Sequence, residues 1–244
     1  MAEEAGGGRP RRAGWGVGAL AVAAAGLLGA CGPPPPPRPQ ALLRATAAAM
    51  RHAPAHLVSG TARAGGTTVR YVLTVAPGGD FAGSVTVQTP GHPSVQSAVI
   101  ATGGRVYVRS PAQLGLLGIS QLPGHRSPAT TWVVQAPAVA AQYRGNLAPF
   151  DGAGLGPTLW HTFSRAGPVR LLRVDGVAVY QLEAGPPFDQ AILDVAVGTD
   201  RVVRLVVRSD QPVTLRYADY GVADPITAPA PALVYDPPAP PPVG

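Results

Sequence analysis

One cysteine, five histidines and a handful of carboxylates are the side chains through which this chain could do covalent or acid–base chemistry. The histidines are His52, His56, His92, His125 and His161. Only His52 and His56 stand at a metal-ligand spacing, and Pro54 between them breaks the helix that would align their rings. Asp189, Asp194 and Asp200 recur near the C-terminus, where strand alternation and turn formation account for them as solvated positions. No Gly-x-Ser-x-Gly elbow and no phosphate-cradling glycine loop occurs. The pattern supplies no nucleophile–base pair, no metal set and no cofactor motif, so the expectation is a protein without catalysis, metal or cofactor.

Cys31 is different because of what precedes it. Arg9, Arg11 and Arg12 lead into an uncharged run from Ala13 to Ala30, which ends in Leu28-Gly29-Ala30-Cys31. A positive n-region, a short apolar stretch and small residues before a cut describe a secretory signal. Leu, two small residues and Cys resemble a bacterial lipobox, in which Leu28, Gly29 and Ala30 mark the cut and the Cys31 thiol is acylated. A thiol suits thioether formation, and small neighbours leave the backbone open to the processing enzymes. The apolar run is near the lower limit for a membrane span of about 17–25 residues, and Ala and Gly make it weakly hydrophobic. The expectation is a lipid anchor on the extracytoplasmic face of the cell membrane. Arg11-Arg12 is followed by Ala13-Gly14-Trp15, a poor twin-arginine match, so the export route stays open.

The chain has 244 residues, of which 13% are charged, and all 19 basic side chains are arginine. Loss of residues 1–30 leaves 214, enough for one domain with a sizeable core, and lowers the formal charge from +6 to +5. The remaining arginines are spaced singly, without the basic patch and interleaved aromatics that nucleic acid requires. Mild attraction to anionic lipid headgroups is a better use of the surplus. With its one cysteine committed to acylation, the domain has no disulfide framework and depends on its core.

Gly32 to Pro39 is a proline spacer, extended and semi-rigid by composition. Gln40–His52 reads as a helix, with Leu42, Leu43, Thr46 and Met50 at helical spacing. From His56 the period becomes two, and glycine-rich turns divide His56–Arg109 into about five antiparallel strands. Leu114–Ser127 reads as loop, Thr130–Gln135 as a short strand, and Ala138–Gln142 and Leu155–Arg165 as short helices. Strands then return at Val169–Val174, Val177–Leu182, Leu193–Val197, Val202–Arg208 and Val213–Tyr217, and Pro229–Gly244 reads as a disordered tail. The division is signal 1–30, acylated cysteine and spacer 31–39, one domain 40–228 and tail 229–244. The fold class is α+β, with about ten or eleven antiparallel strands. Several strands are apolar on both faces, as a curled or helix-covered sheet requires.

In this order the elements resemble the LolA-like half-barrel, and most of all the LppX/LprG-type lipoproteins of actinobacteria. The resemblance rests on the lipobox, the proline spacer and the opening helix. It continues through Gly104-Arg105-Val106-Tyr107-Val108, the Trp132 strand, Val174-Asp175-Gly176 to Tyr180, Leu193 to Leu205, and Tyr217-Ala218-Asp219-Tyr220-Gly221. It spans roughly Gln40 to Pro229. Family members often carry Trp where this chain has Asp194-Val195-Ala196-Val197, so ligand identity does not transfer. The resemblance implies a strongly curved sheet with helices in or over its concave face, and a cavity there that binds or carries an acylated lipid or glycolipid. An envelope transporter is a further implied partner. The cavity would be lined by Val69, Tyr71, Leu73 and Val75, by Phe81, Val85 and Val87, and by Val203, Leu205 and Val207. Each set shares one face of its strand by alternation. Trp132, Trp160 and Phe163 are core or cavity aromatics. The alternatives are an envelope sensor or protein-interaction module on the same fold, and more remotely an enzyme with a dispersed site.

Overall fold

The computed structural model describes residues 35–116, 120–124, 126–147, 152–221 and 224–237. The signal, Leu28 to Cys31, His125 and the end of the tail lie outside the described residues.

Helix α1 spans Pro39–Arg51. Pro39 sits at its start, where a missing N–H breaks no helical bond. Alanines favour the helix, and Leu42, Leu43, Thr46 and Met50 form its buried stripe. It ends before Pro54, with the His52 N–H donating to the Ala48 carbonyl and the Ala53 N–H to that of Met50.

Two antiparallel meanders follow. The first runs β1 (His56–Ala64), β2 (Thr67–Val75), β3 (Phe81–Gln88), β4 (Val95–Thr102), β5 (Arg105–Arg109), helix α2 (Pro111–Leu116) and β6 (Trp132–Val134). Helices α3 (Pro137–Leu147) and α4 (Gly152–Phe163) then lead to β7 (Arg170–Val174), β8 (Val177–Ala184), β9 (Gln190–Ala196), β10 (Val202–Arg208) and β11 (Val213–Ala218). A last strand, β12 (Val234–Tyr235), follows a 3-10 turn at Pro231–Leu233.

Among the described residues, twelve strands form one curved, open sheet in the order β12-β6-β5-β4-β3-β2-β1-β11-β10-β9-β8-β7. The meanders join where β1 pairs antiparallel with β11, Val58 opposite Tyr217 and Gly60 opposite Leu215. Gly60 marks the tightest point of that seam. A Cβ built there would lie 2.1 Å from the Thr214 carbonyl oxygen, so the two backbones approach as only glycine permits.

Three elements depart from the sequence expectation. Helix α2 was not expected and overlaps the start of the segment read as loop at 114–116, where Gly115 and the nearby prolines masked a turn that Ser110 and Pro111 start. Helix α3 runs on to Leu147. The segment expected to be disordered tail contains the 3-10 turn and β12, which pairs in parallel with β6, Val234 beside Trp132. Its composition hid the strand because only two of its residues reach the ladder.

Candidate lipid-binding face

Register assigns the faces. Leu182, Leu193, Leu205, Leu215, Gly60, Tyr71 and Val85 stand opposite one another in turn, a single row across seven strands. The adjoining row carries Tyr217, Val58, Leu73, Gly83, Val99 and Val108. Neither row holds a charge. Leu42, Leu43 and Met50 of α1 belong to the same buried cluster, with Leu155, Leu159 and Phe163 of α4. The α4 set recurs every four residues, so one stripe of the helix enters the core despite Pro157 within it. Helices α1 and α4 also pack on each other, and a Cβ on Gly156 would meet the Ala47 Cβ at 3.4 Å. Within this apolar layer the Thr46 hydroxyl is fully buried without a hydrogen-bond partner.

The expected lining divides. Leu73, Val75, Phe81, Phe163 and Leu205 are buried in this core, and Tyr71 and Val85 pack on it half-buried. Val69, Val203 and Val207 are half-buried without joining the buried cluster, and Val87 is exposed. In β10 the pairing slips between Val202 and Arg204, so Val202 and Leu205 are the buried pair instead of a strict alternation from Val203. Trp160 is 46% exposed, pointing away from the stripe of its own helix.

Trp132 is buried on the opposite face. It joins Tyr107 and Val134 in a separate cluster with Ala98, Ile100 and Val234, and the Arg109 guanidinium lies 4.8 Å from the centre of its ring. The alternation of β6 was legible, but its parity relative to the core was not. A surface hollow of about 610 Å³ beside this cluster has Val134, Ala136, Pro137 and Ala140 in its wall, with Arg105 and Arg144.

Asp194 corrects the solvated reading. It is fully buried on the same outer face, accepting hydrogen bonds from Gln181 Nε2 at 2.8 Å and Arg204 Nε at 2.6 Å. Its partners stand directly across β8 and β10 and satisfy a carboxylate that neighbouring strands remove from water. Asp189 and Asp200 are turn residues, 200 at a positive φ of 53°.

The described histidines do not converge. His52 caps α1, whereas His56 is buried with Nδ1 3.1 Å from the Pro54 carbonyl oxygen. Its ring stacks between Tyr217 and Tyr220, at centroid distances of 6.0 and 5.2 Å. Tyr220 donates to the Val202 carbonyl at 2.7 Å and touches Met50 Sδ, joining α1 to the sheet. Burial pushes the phenols of Tyr217 and Tyr220 well above their ordinary value near 10, and raises that of Tyr71. The sequence reading named Leu205, Tyr71 and Val85 of the row but neither this stack nor Leu182, Leu193 and Leu215. Leucines at the centres of four strands signalled the row, but which faces share a core depends on pairing.

No protein-family model matches this sequence, and no curated protein matches it. The fold does match solved structures. LprF from Mycobacterium bovis superposes with a TM-score of 0.53 at 17% identity, over 79% of this chain and 97% of that one. The MucA/MucB complex of Pseudomonas aeruginosa gives 0.42 at 15% identity, over 78% and 61%. The LolA superfamily protein NE2245 of Nitrosomonas europaea gives 0.29 at 12% identity, over 79% and 98%. The chain has a LolA-like fold. LprF is the superposition that shows this fold.

Proposed function

We propose that this chain is a lipid-anchored, extracytoplasmic protein that binds, and carries, an acylated lipid or glycolipid between its curved sheet and the helices over the concave face. The observation that supports it is the uncharged face running unbroken from β8 to β3, whose leucines share one buried cluster with residues of α1 and α4. Each CH₂ moved from water into such a layer gains about 0.8 kcal/mol, so an acyl chain needs no covalent step to be held. Entry requires the α1–α4 layer to lift, because helix side chains fill this face. The buried Thr46 hydroxyl then offers one polar contact inside an otherwise apolar layer. Acylation at Cys31 supplies membrane attachment, and no catalytic step or cofactor enters the reading.

The same filled core supports a second reading, a protein-interaction module that never opens. Native mass spectrometry of the protein purified from its host membrane separates them. A co-purifying lipid is expected for the carrier, and an empty chain for the module. Val85→Trp, on a half-buried position, should lower lipid binding with little change in melting temperature. Leu73→Trp, in the filled centre, should overpack by about 1–3 kcal/mol. Loss of stability in both variants, with no lipid on the wild type, rejects the carrier. Cys31→Ser should abolish acylation, and unchanged mass and membrane retention would reject the anchor.

A further inference from the structure

Phe188 is 81% exposed, a large apolar ring in water on the turn between β8 and β9. Pro186 and Pro187 precede it and restrict the backbone of the turn that carries the ring. What lies beside this tip gives it a direction. Gly185 and Gln190, at its base, share a hollow with Arg165 and Arg170. Ser164 and Ala166, which flank Arg165, share the next hollow with the start of α1, including Arg38 and Arg44. The tip and the first turn of α1 are therefore at the same end of the strands. The arginines there face fewer acids: Glu183 pairs with Arg170 at 3.5 Å, and Asp189 lies in the turn itself.

We propose that this end of the protein is a membrane-docking surface, with Phe188 entering the interfacial layer and Arg38, Arg44 and Arg165 meeting anionic phospholipid headgroups. The inference rests on the anchor reading for its orientation. Seven residues separate Cys31 from Pro39, eight steps with a reach of about 25 Å if extended, so an acylated Cys31 holds the start of α1 near the headgroups. An aromatic at the interface and arginines near anionic headgroups is a combination that binds membrane surfaces, and the charge part of it weakens with salt. The occupant is a lipid surface because the tether places one there. Docking at this end puts the junction of α1 and α4 against the bilayer, where an acyl chain has the shortest path between membrane and core.

The test compares two positions in the full-length protein, purified from membranes. Phe188→Cys and, at the far end of β8, Val177→Cys are spin-labelled, and each is reconstituted into vesicles of phosphatidylglycerol and phosphatidylcholine. On these vesicles the label at 188 should be relaxed more by oxygen than by a water-soluble nickel chelate, and the label at 177 the reverse. Pure phosphatidylcholine, high salt, or the pair Arg38→Glu and Arg165→Glu should return position 188 to the aqueous value. Equal nickel access at the two positions overturns the proposal. So does shielding of 188 without vesicles, which would mean contact between protein copies. Cys31 is the only native cysteine, so labelling of the wild type, with its mass, reports separately whether the anchor reading fails. In that event the same comparison is made on a Cys31→Ser background.

Discussion

The two faces of the sheet bury side chains in opposite ways. Toward α1 and α4, leucines and valines from both meanders merge into one cluster, and among the described residues no carboxylate or guanidinium is buried there. On the other face burial is local, with one aromatic island around Trp132 and one polar knot around Asp194. The continuous face gains from every residue added to a shared apolar layer, whereas each island is limited to the partners that register delivers. A lipid-sized opening fits the first arrangement, since sliding a helix over an uncharged face breaks no ion pair. It does not fit the second, where each contact has a specific geometry.

The greatest stability loss should come from the continuous face. Phe163→Ala removes a fully buried ring from the junction of α4 and the sheet and should cost about 3–5 kcal/mol in a denaturant titration. A loss much below that would mean that the core at α4 is already loose, which itself favours an opening helix layer. Asp194→Ala should come next, at about 2–3 kcal/mol. It strands Gln181 and Arg204, but Arg204 retains some access to water. Asp194→Asn should recover part of the loss, because an amide still accepts one of the two bonds. Full loss in both would show that the charge, not the hydrogen bonding, holds the knot.

Alkaline pH separates the faces more gently. In the folded chain Tyr217 and Tyr220 keep their protons above the ordinary tyrosine value near 10, whereas the unfolded chain has lost them. The unfolded state therefore binds fewer protons in that range. The stability conferred by their burial is complete below pH 10 and falls as pH rises above it. Thermal melts should show that decline, with a shallower slope for Tyr217→Phe; equal slopes would remove Tyr217 from the account. The smallest effect belongs to the edge. Asp236→Ala breaks an ion pair with Arg105 at 2.6 Å whose members are both exposed, and the melting midpoint should not move measurably. A clear drop would mean that β12 is a structural strand and not a light cover on β6.

Much of this was legible in the residues. Alternation from Val69 to Val87 and the Asp175-Gly176 turn are local signals, set by the strand pleat and by backbone sterics, and they hold wherever the strands are placed. The stripe of α1 is equally local. Pairing alone decided that Trp132 faces away from Phe163, that Asp194 lies dry between Gln181 and Arg204, and that Val234 adds a strand across more than a hundred residues of sequence. A period of two shows that successive side chains part to opposite faces but carries no label for which face is inside. That label comes from the β1–β11 seam at Gly60, which joins the two meanders and makes one set of faces a common interior.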